Sequence, residues 1–332
     1  MDSVTQIALG AGVAEAVLGR KVGNKAALIG AICGTLPDLD SFIPYADAVA
    51  TVTYHRSFSH SLLVLTAMSP LLAWVVQRCM RQSPASFLQW WWLVFLVLIT
   101  HPLLDGFTVY GTQLLWPLVD HAYSGSTIFI IDPAYTLPLG IGVILALRLA
   151  REDRRRWTAN LTGLVLSSAY LLWSVVAKFQ MEAIIRMQLD EQGIAHGGVL
   201  STPGPFSTIL WRFVVMAEGG YYEAYYSVLD APHRVDFVFH ADQKELLEPL
   251  RDHWPVQRLD WFTQGFYSAH LQGEQLVLSD LRMGVEGAYT FNYHVADLVD
   301  EQLQPVTSTQ IEPPFRGAEL GDILRRTVTP VR

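Results

Sequence analysis

The sequence predicts a membrane α-helical bundle of about six apolar helices, the first two short, followed by a small soluble α+β domain. Three observations carry that expectation. Of the 332 residues, 51% are hydrophobic and only 16% charged, against about 25% charged in an average soluble domain. Long apolar runs recur as far as residue 177 and then cease. Beyond them come segments rich in β-branched and aromatic residues, the composition of strands.

Taken in order, helices are expected at 4–19, 26–36, 61–77, 87–104, 133–150 and 158–177. The last four approach the ~20 residues that cross a bilayer. The first two are rich in small residues (Gly10, Gly12, Gly19, Gly30, Gly34), which suits tight helix packing better than lipid contact. The connections divide by charge. Arg20, Lys21, Lys25, Arg78, Arg81, Arg148, Arg151, Arg154, Arg155 and Arg156 fall in one set of loops; the alternate set, 37–60 and 105–127, holds only Arg56. The positive-inside rule makes the basic set cytoplasmic, and six alternating passes then place both termini outside. Trp90, Trp91 and Trp92 are expected as an interfacial belt at the inner end of the fourth helix. Asp132-Pro133 reads as an N-cap with proline at the first helical position, and Ser59 is placed to cap the third helix.

From about residue 180, strands are expected at 214–217, 221–229, 235–239, 266–271 and 275–281, with an amphipathic helix at 241–251. The division is therefore 1–177 as a transmembrane helical domain, 178–299 as an extracytoplasmic α+β domain and 300–332 as an extended C-terminal tail.

Charge and cysteine usage exclude several classes. A net charge of −8 argues against nucleic acid as a partner, because phosphate binding needs a basic footprint. Cys33 and Cys79 fall in separate apolar segments and form neither a disulfide framework nor a zinc-finger spacing. Met1-Asp2-Ser3 carries no basic stretch, so no cleavable signal peptide is expected. The lipid bilayer is the partner that composition names, and oligomeric state is left open.

The chemistry-bearing residues gather at the ends of apolar runs. Asp38 and Asp40 lie in Pro37-Asp38-Leu39-Asp40, His55 and His60 in His55-Arg56-Ser57-Phe58-Ser59-His60, and His101 and Asp105 in His101-Pro102-Leu103-Leu104-Asp105. Ionisable groups at membrane depth are costly, so they are functional candidates by default. His101 and Asp105, four apart, align on one helical face, although Pro102 predicts a kink or a fresh turn between them. Three histidines and three aspartates form a mixed nitrogen and oxygen donor set suited to zinc, manganese or iron. All six are candidate metal ligands. Asp120-His121, in an outer loop, is a further candidate, and Glu15 lies mid-helix with no partner indicated by spacing.

Four ordered motifs carry a resemblance: Met1-Asp2-Ser3-Val4-Thr5-Gln6, Gly34-Thr35-Leu36-Pro37-Asp38-Leu39-Asp40, His55-Arg56-Ser57-Phe58-Ser59-His60 and His101-Pro102-Leu103-Leu104-Asp105. Together they resemble the membrane-bound metal-dependent hydrolases, the YdjM-like inner-membrane proteins, over about residues 1–177. The resemblance implies an inner-membrane location and metal-dependent hydrolysis, and it is distantly similar to zinc-dependent phospholipase C sequences. Many relatives carry a histidine after the early threonine, where this chain has Gln6. If that histidine is a ligand elsewhere, this site lacks one nitrogen donor or uses the amide to hold a water.

The expected function is therefore metal-assisted hydrolysis of a phosphoester, lipid-linked or otherwise, at the outer membrane face. A bound divalent ion lowers the pKa of its water towards ~7 and polarises the scissile group. Asp40 or Asp105, if free of the metal, is placed to take the proton. Arg56 reads either as a bidentate phosphate clamp or as a lipid-headgroup anchor. Two rivals stand beside this reading: a transporter with a proton or metal route, and a membrane-anchored binding or scaffold protein whose metal is structural.

Overall fold

The computed structural model describes residues 1–313 and 317–331. The chain forms two compact units, one of Met1–Ile43 with His55–Val175, the other of Pro44–Tyr54 with Val176–Arg332.

The first unit is helical. Helix α1 (Ser3–Val22) starts at Asp2, whose carboxylate accepts from the Val4 and Thr5 amides, and ends at Gly23 with φ +66°. That left-handed value favours glycine. Helix α2 (Asn24–Thr35) then doubles back along α1. The two backbones meet at Gly10, Gly30 and Gly34: a Cβ on Gly30 would overlap the Gly10 carbonyl oxygen and the Ala14 methyl. A 3-10 turn (Pro37–Phe42) follows. Helix α3 (Ala48–Tyr54) belongs to the second unit. After a further 3-10 turn (Phe58–His60) come α4 (Leu62–Cys79), α5 (Phe87–Asp105), α6 (Pro133–Leu147) and α7 (Arg154–Glu191).

All six expected helices form, but the expectation of six apolar membrane helices is corrected. Among the described residues three helices, α4, α5 and α7, are long and apolar enough to cross a membrane. Helix α6 is apolar but has 15 residues, α2 has 12, and α1 carries Glu15, Arg20 and Lys21 among its glycines. Two local expectations also change. Ser61, not Ser59, caps α4, its hydroxyl accepting from the Val64 amide at 3.4 Å. Trp90 is fully buried against α1, α2 and α4, leaving only Trp92 of the three tryptophans exposed. Asp132 does cap α6, accepting from the Ala134 amide at 2.9 Å and from the Tyr170 hydroxyl at 2.8 Å.

Glu15 acquires a partner that sequence spacing did not indicate. Arg156 donates to both its carboxylate oxygens, at 2.6 and 2.7 Å, and to Asn24 Oδ1 at 2.7 Å. Gly19, one turn on, leaves the room that the Glu15 carboxylate occupies. This knot joins α1, α2 and α7 at the end of the bundle where the basic residues collect; there Lys21 also donates to Gln89 Oε1 at 2.7 Å.

The second unit carries strands β1 (Val199–Pro203), β2 (Leu210–Ala217), β3 (Gly220–Ser227) and β4 (Val238–Ala241) in an antiparallel meander. Trp211, Phe213, Val215, Ala224 and Tyr226 of that sheet bury the stripe Ala177, Met181, Ile185 and Leu189 of α7, spaced four apart as one helical face requires. Helix α8 (Trp254–Thr263) precedes β5 (Tyr267–Gln272) and β6 (Gln275–Asp280). A small hairpin, β7 (Gly284–Val285) with β8 (Ala288–Tyr289), leads to β9 (Asn292–Val299) and β10 (Gln302–Ile311). The second sheet runs β10-β9-β6-β5, antiparallel throughout.

Residues 302–311, expected as extended tail, are thus a paired edge strand, bulged between Pro305 and Thr309. Helix α9 (Gly317–Val328) follows. The expected helix at 241–251 is a 3-10 helix over Lys244–Leu250. Helix α3 packs in this unit, with Tyr54 stacked on Trp254 at 6.4 Å and Arg258 donating to Thr53 Oγ1 at 3.2 Å.

Candidate metal centre

Four of the six predicted donors converge at one end of the helical unit. Asp38 comes from the 3-10 turn after α2, His60 from the turn before α4, and His101 with Asp105 from the last turn of α5. Helix α5 passes through Pro102 unbroken, so the i, i+4 geometry brings His101 Nε2 to 3.4 Å from Asp105 Oδ2. His60 Nε2 lies 3.2 Å from His101 Nε2, 3.3 Å from Asp105 Oδ2 and 3.4 Å from Asp38 Oδ1. His101 Nε2 is also 3.4 Å from Asp38 Oδ1. His60, His101 and Asp105 are fully buried at their side chains, while Asp38 keeps 24% of its side chain exposed.

The hydrogen bonds around the quartet decide which atoms face its centre. His101 Nδ1 is 2.6 Å from the Gly34 carbonyl oxygen, an acceptor only, so Nδ1 carries the proton. Ser59 Oγ donates to Asp40 Oδ2 at 2.5 Å and accepts from His60 Nδ1 at 2.9 Å. With one proton on each ring, at Nδ1, both Nε2 atoms turn lone pairs towards each other and towards two carboxylate oxygens. Asp105 Oδ2 is buried and makes no hydrogen bond, although two imidazole nitrogens and Arg56 Nε, at 3.4 Å, surround it. Four electron-rich atoms at such spacing repel unless a cation lies among them.

The donor spacing fits a metal. In a tetrahedral zinc site with donors about 2.0–2.1 Å from the ion, neighbouring donors stand about 3.3–3.4 Å apart. The five separations above span 3.2–3.4 Å. Two carboxylates also match the charge of one divalent ion. The carbonyl of Gly34 and the Ser59–Asp40 relay hold the two rings as outer-layer partners of metal-bound histidines do.

Asp40 and His55, both expected as ligands, do not join the quartet. Asp40 turns instead to the 55–59 segment, accepting from the Arg56 amide at 2.9 Å, from Ser59 and from His55 Nδ1 at 2.8 Å. Burial pushes the carboxyl of Asp40 up, but His55 and Ser59 outweigh it and hold its pKa below the usual carboxylate value. Arg56 has a left-handed backbone, φ +62°, fixed by Asp40 at its amide and by the Gln113 amide at its carbonyl. Its side chain is buried over the Tyr110 ring and against Asp105, which leaves it no headgroup to anchor.

Gln6 enters from α1 and donates to Asp105 Oδ1 at 3.0 Å and to the His101 carbonyl oxygen at 3.3 Å. The α-amine of Met1 also reaches Asp105 Oδ1. Oδ1 is thereby occupied and Oδ2 faces the quartet. Asp120 and His121 are exposed and stand outside the group. The parts that sequence reasoning missed are a backbone, a hydroxyl and a ring contact: the Gly34 carbonyl, the Ser59 bridge and the Tyr110 ring beneath Arg56. Only Ser59, lying between two candidate ligands, offered a signal.

A helical unit with three membrane-capable helices, and a histidine and aspartate quartet at the end of one of them, defines a membrane protein with a candidate metal centre. The YdjM inner membrane protein family matches residues 1–181, more than half of the chain, and the chain belongs to that family. It is similar to a Bacillus subtilis (strain 168) protein named uncharacterized protein YfhP, at 22% identity over 308 residues, covering 88% of this chain and 89% of the relative. It is also similar to inner membrane protein YbcI of Escherichia coli (strain K12), at 32% identity over 125 residues, covering 35% of this chain and 70% of that protein. No solved structure matches.

Proposed function

We propose that the protein is an integral-membrane zinc-dependent hydrolase acting on a phosphoester. The observation that carries this is the quartet of Asp38, His60, His101 and Asp105, with five donor separations of 3.2–3.4 Å. Zinc is favoured over manganese or iron because a compact four-donor set of two imidazoles and two carboxylates suits tetrahedral coordination, whereas manganese prefers six oxygen-rich positions. A bound zinc ion supplies a water of pKa ~7 and polarises a phosphoryl oxygen. Asp38, the donor with solvent access, would be the one to give up a position to water or substrate. Asp105, committed on both oxygens, does not serve as base. Asp40 and His55 take that role as a hydrogen-bonded pair beside the quartet, with His55 partly exposed and able to pass a proton outward. Arg56 lies 3.4 Å from Asp105 and holds it in place.

The orientation follows from charge. Asp38, Ser61 and Asp105 mark one end of the bundle, and ten lysines and arginines of its connections mark the other. The positive-inside rule then puts the quartet at the outer face. Helix α7 starts at the basic end, so its second half and the α+β unit are extracytoplasmic.

A structural staple is the second reading, favoured by the count of donors: four protein ligands complete a tetrahedron without a water. Metal analysis of purified protein, followed by a phosphoester panel, separates the two. The hydrolase reading expects about one zinc per chain, lost with activity in His60→Ala and His101→Ala. Stoichiometric zinc with no turnover, and a lower melting temperature on chelation, would favour the staple. A folded protein without metal would end both.

A further inference from the structure

Residues 114–119, Leu-Leu-Trp-Pro-Leu-Val, form a stretch without one polar side chain in a non-helical connection of the first unit. Leu115 to Val119 are all exposed, Leu118 by 77%. Scattered exposed apolar residues are ordinary in any protein; a contiguous run is not. Much of the backbone of the stretch is paired. Trp116 donates to the Gln113 carbonyl at 3.2 Å, and Leu118 and Val119 donate to the Leu115 carbonyl at 2.9 and 3.2 Å. The Leu114 carbonyl accepts from the Leu62 amide at 2.9 Å and the Trp116 carbonyl from Ser61 Oγ at 2.5 Å. Internal pairing of this kind is what non-helical backbone needs where water is scarce.

The run is tied to the metal centre. Leu62 and Ser61 directly follow His60, and Phe58 lies against Trp116 with ring centroids 6.4 Å apart. On the other side of the quartet, the turn that carries Asp38 exposes Leu39 and, by 81%, Phe42. Neither 37–43 nor 114–119 contains a lysine, arginine or glutamate. Both lie at the same end of α4 and α5 as the quartet, so this apolar surface continues that of the membrane-capable helices.

We propose that these two segments form a rim set into the outer leaflet, and that the quartet takes its substrate sideways from the bilayer. The substrate class is an amphiphilic phosphoester whose head meets Asp38 while its chain lies over Leu39, Phe42, Phe58, Trp116 and Leu118. The substrate half rests on the hydrolase reading; the rim does not.

The test has two arms. In a Cys33→Ala, Cys79→Ser background, single cysteines from Leu118→Cys and Gln82→Cys are labelled with a fluorophore, and the protein is placed in vesicles of phosphatidylethanolamine and phosphatidylglycerol. The Leu118 label is expected to be quenched by acyl-chain nitroxides and shielded from aqueous iodide, with the opposite result at Gln82. Iodide quenching at Leu118 as strong as at Gln82 overturns the rim. The second arm measures zinc-loaded protein on alkyl p-nitrophenyl phosphates of increasing chain length in the same vesicles. Long-chain preference is expected, falling about tenfold in Leu118→Ser with Phe42→Ser, since each loses a large apolar contact. Hydrolysis independent of chain length overturns the lipid substrate while sparing the hydrolase reading. No hydrolysis of any ester overturns the hydrolase reading and the substrate with it, and the quenching result then decides the rim alone.

Discussion

Single residues show how the sequence names donors without saying which way they turn. Asp38 and Asp40, two apart, look equivalent in the chain, yet the 3-10 turn sends one to the quartet and the other to the 56–60 loop. His55 and His60 separate for the same reason. The His101–Asp105 pair was legible because helix periodicity fixes its geometry; no such period governs a turn. Gln6 stood out in the sequence as a departure from relatives, but its contact with Asp105 depends on how α1 lies against α5. Gln6→Ala is expected to weaken zinc binding about 10- to 100-fold, the usual cost of losing an outer-layer partner. Competition with a chromophoric chelator reads that loss, and affinity equal to wild type would remove Gln6 from the site. The Glu15–Arg156 pair carries a different expectation. Glu15→Ala leaves a buried guanidinium uncompensated, at about 3–5 kcal/mol, whereas Glu15→Leu with Arg156→Leu should regain most of that in thermal melts of the purified protein.

Elements were readable where they are long and periodic, and obscure where they are short or at an edge. Helix α3 has seven residues and escaped notice. Strand β10 escaped because Pro305 and a bulge interrupt its alternation, features tolerated on an edge strand. Helix α6, expected over 133–150, ends at Leu147, just before Arg148; Leu149 and Ala150 beyond it are apolar but lie outside the helix. The α1–α2 contact gives a sharp test. Gly30→Ala would drive a methyl into the Gly10 carbonyl, separating the helices at a cost of about 1–3 kcal/mol. Because α2 ends at Thr35 and delivers Asp38, zinc affinity should fall as well; an unchanged melt and affinity would show that the pair can part freely. At the far end of the chain, Asp230 accepts from Arg326 of α9, and from the Ser227 and Val331 amides, both at 2.8 Å. Burial pushes the Asp230 pKa up, but these partners bring it below the ordinary value. A depressed folded-state pKa means the contribution is present above about pH 4 and is lost as pH falls through the folded value. Protection of the α9 amides, taken relative to their intrinsic exchange rate at each pH, should therefore fall on acidification, and Asp230→Asn should remove that loss of protection.

For the whole molecule, alternating charge indicated an order of passes, while of the last four helices, expected to approach spanning length, three are long and apolar enough to cross a membrane among the described residues. Reporter fusions after residues 82 and 115 test the orientation: cytoplasmic activity is expected at 82 and none at 115. Cytoplasmic activity at 115 would turn the protein over and put the quartet on the inner side. The two units also interleave along the chain, which sequence composition could not reveal: the switch from apolar to strand-forming character near residue 177 hides that 44–54 already belongs to the second unit.

That excursion sets a timetable for synthesis. Residues 44–54 emerge from the ribosome early, yet their partners at Trp254, Arg258 and Ser308 are translated about 200 to 259 residues later. Until then the segment is an unfinished loop strung between Asp40 and His55, whose side chains meet at 2.8 Å. Closing such a distant contact is intrinsically slow, so the nascent protein carries a waiting segment beside its ligand loops for most of its translation.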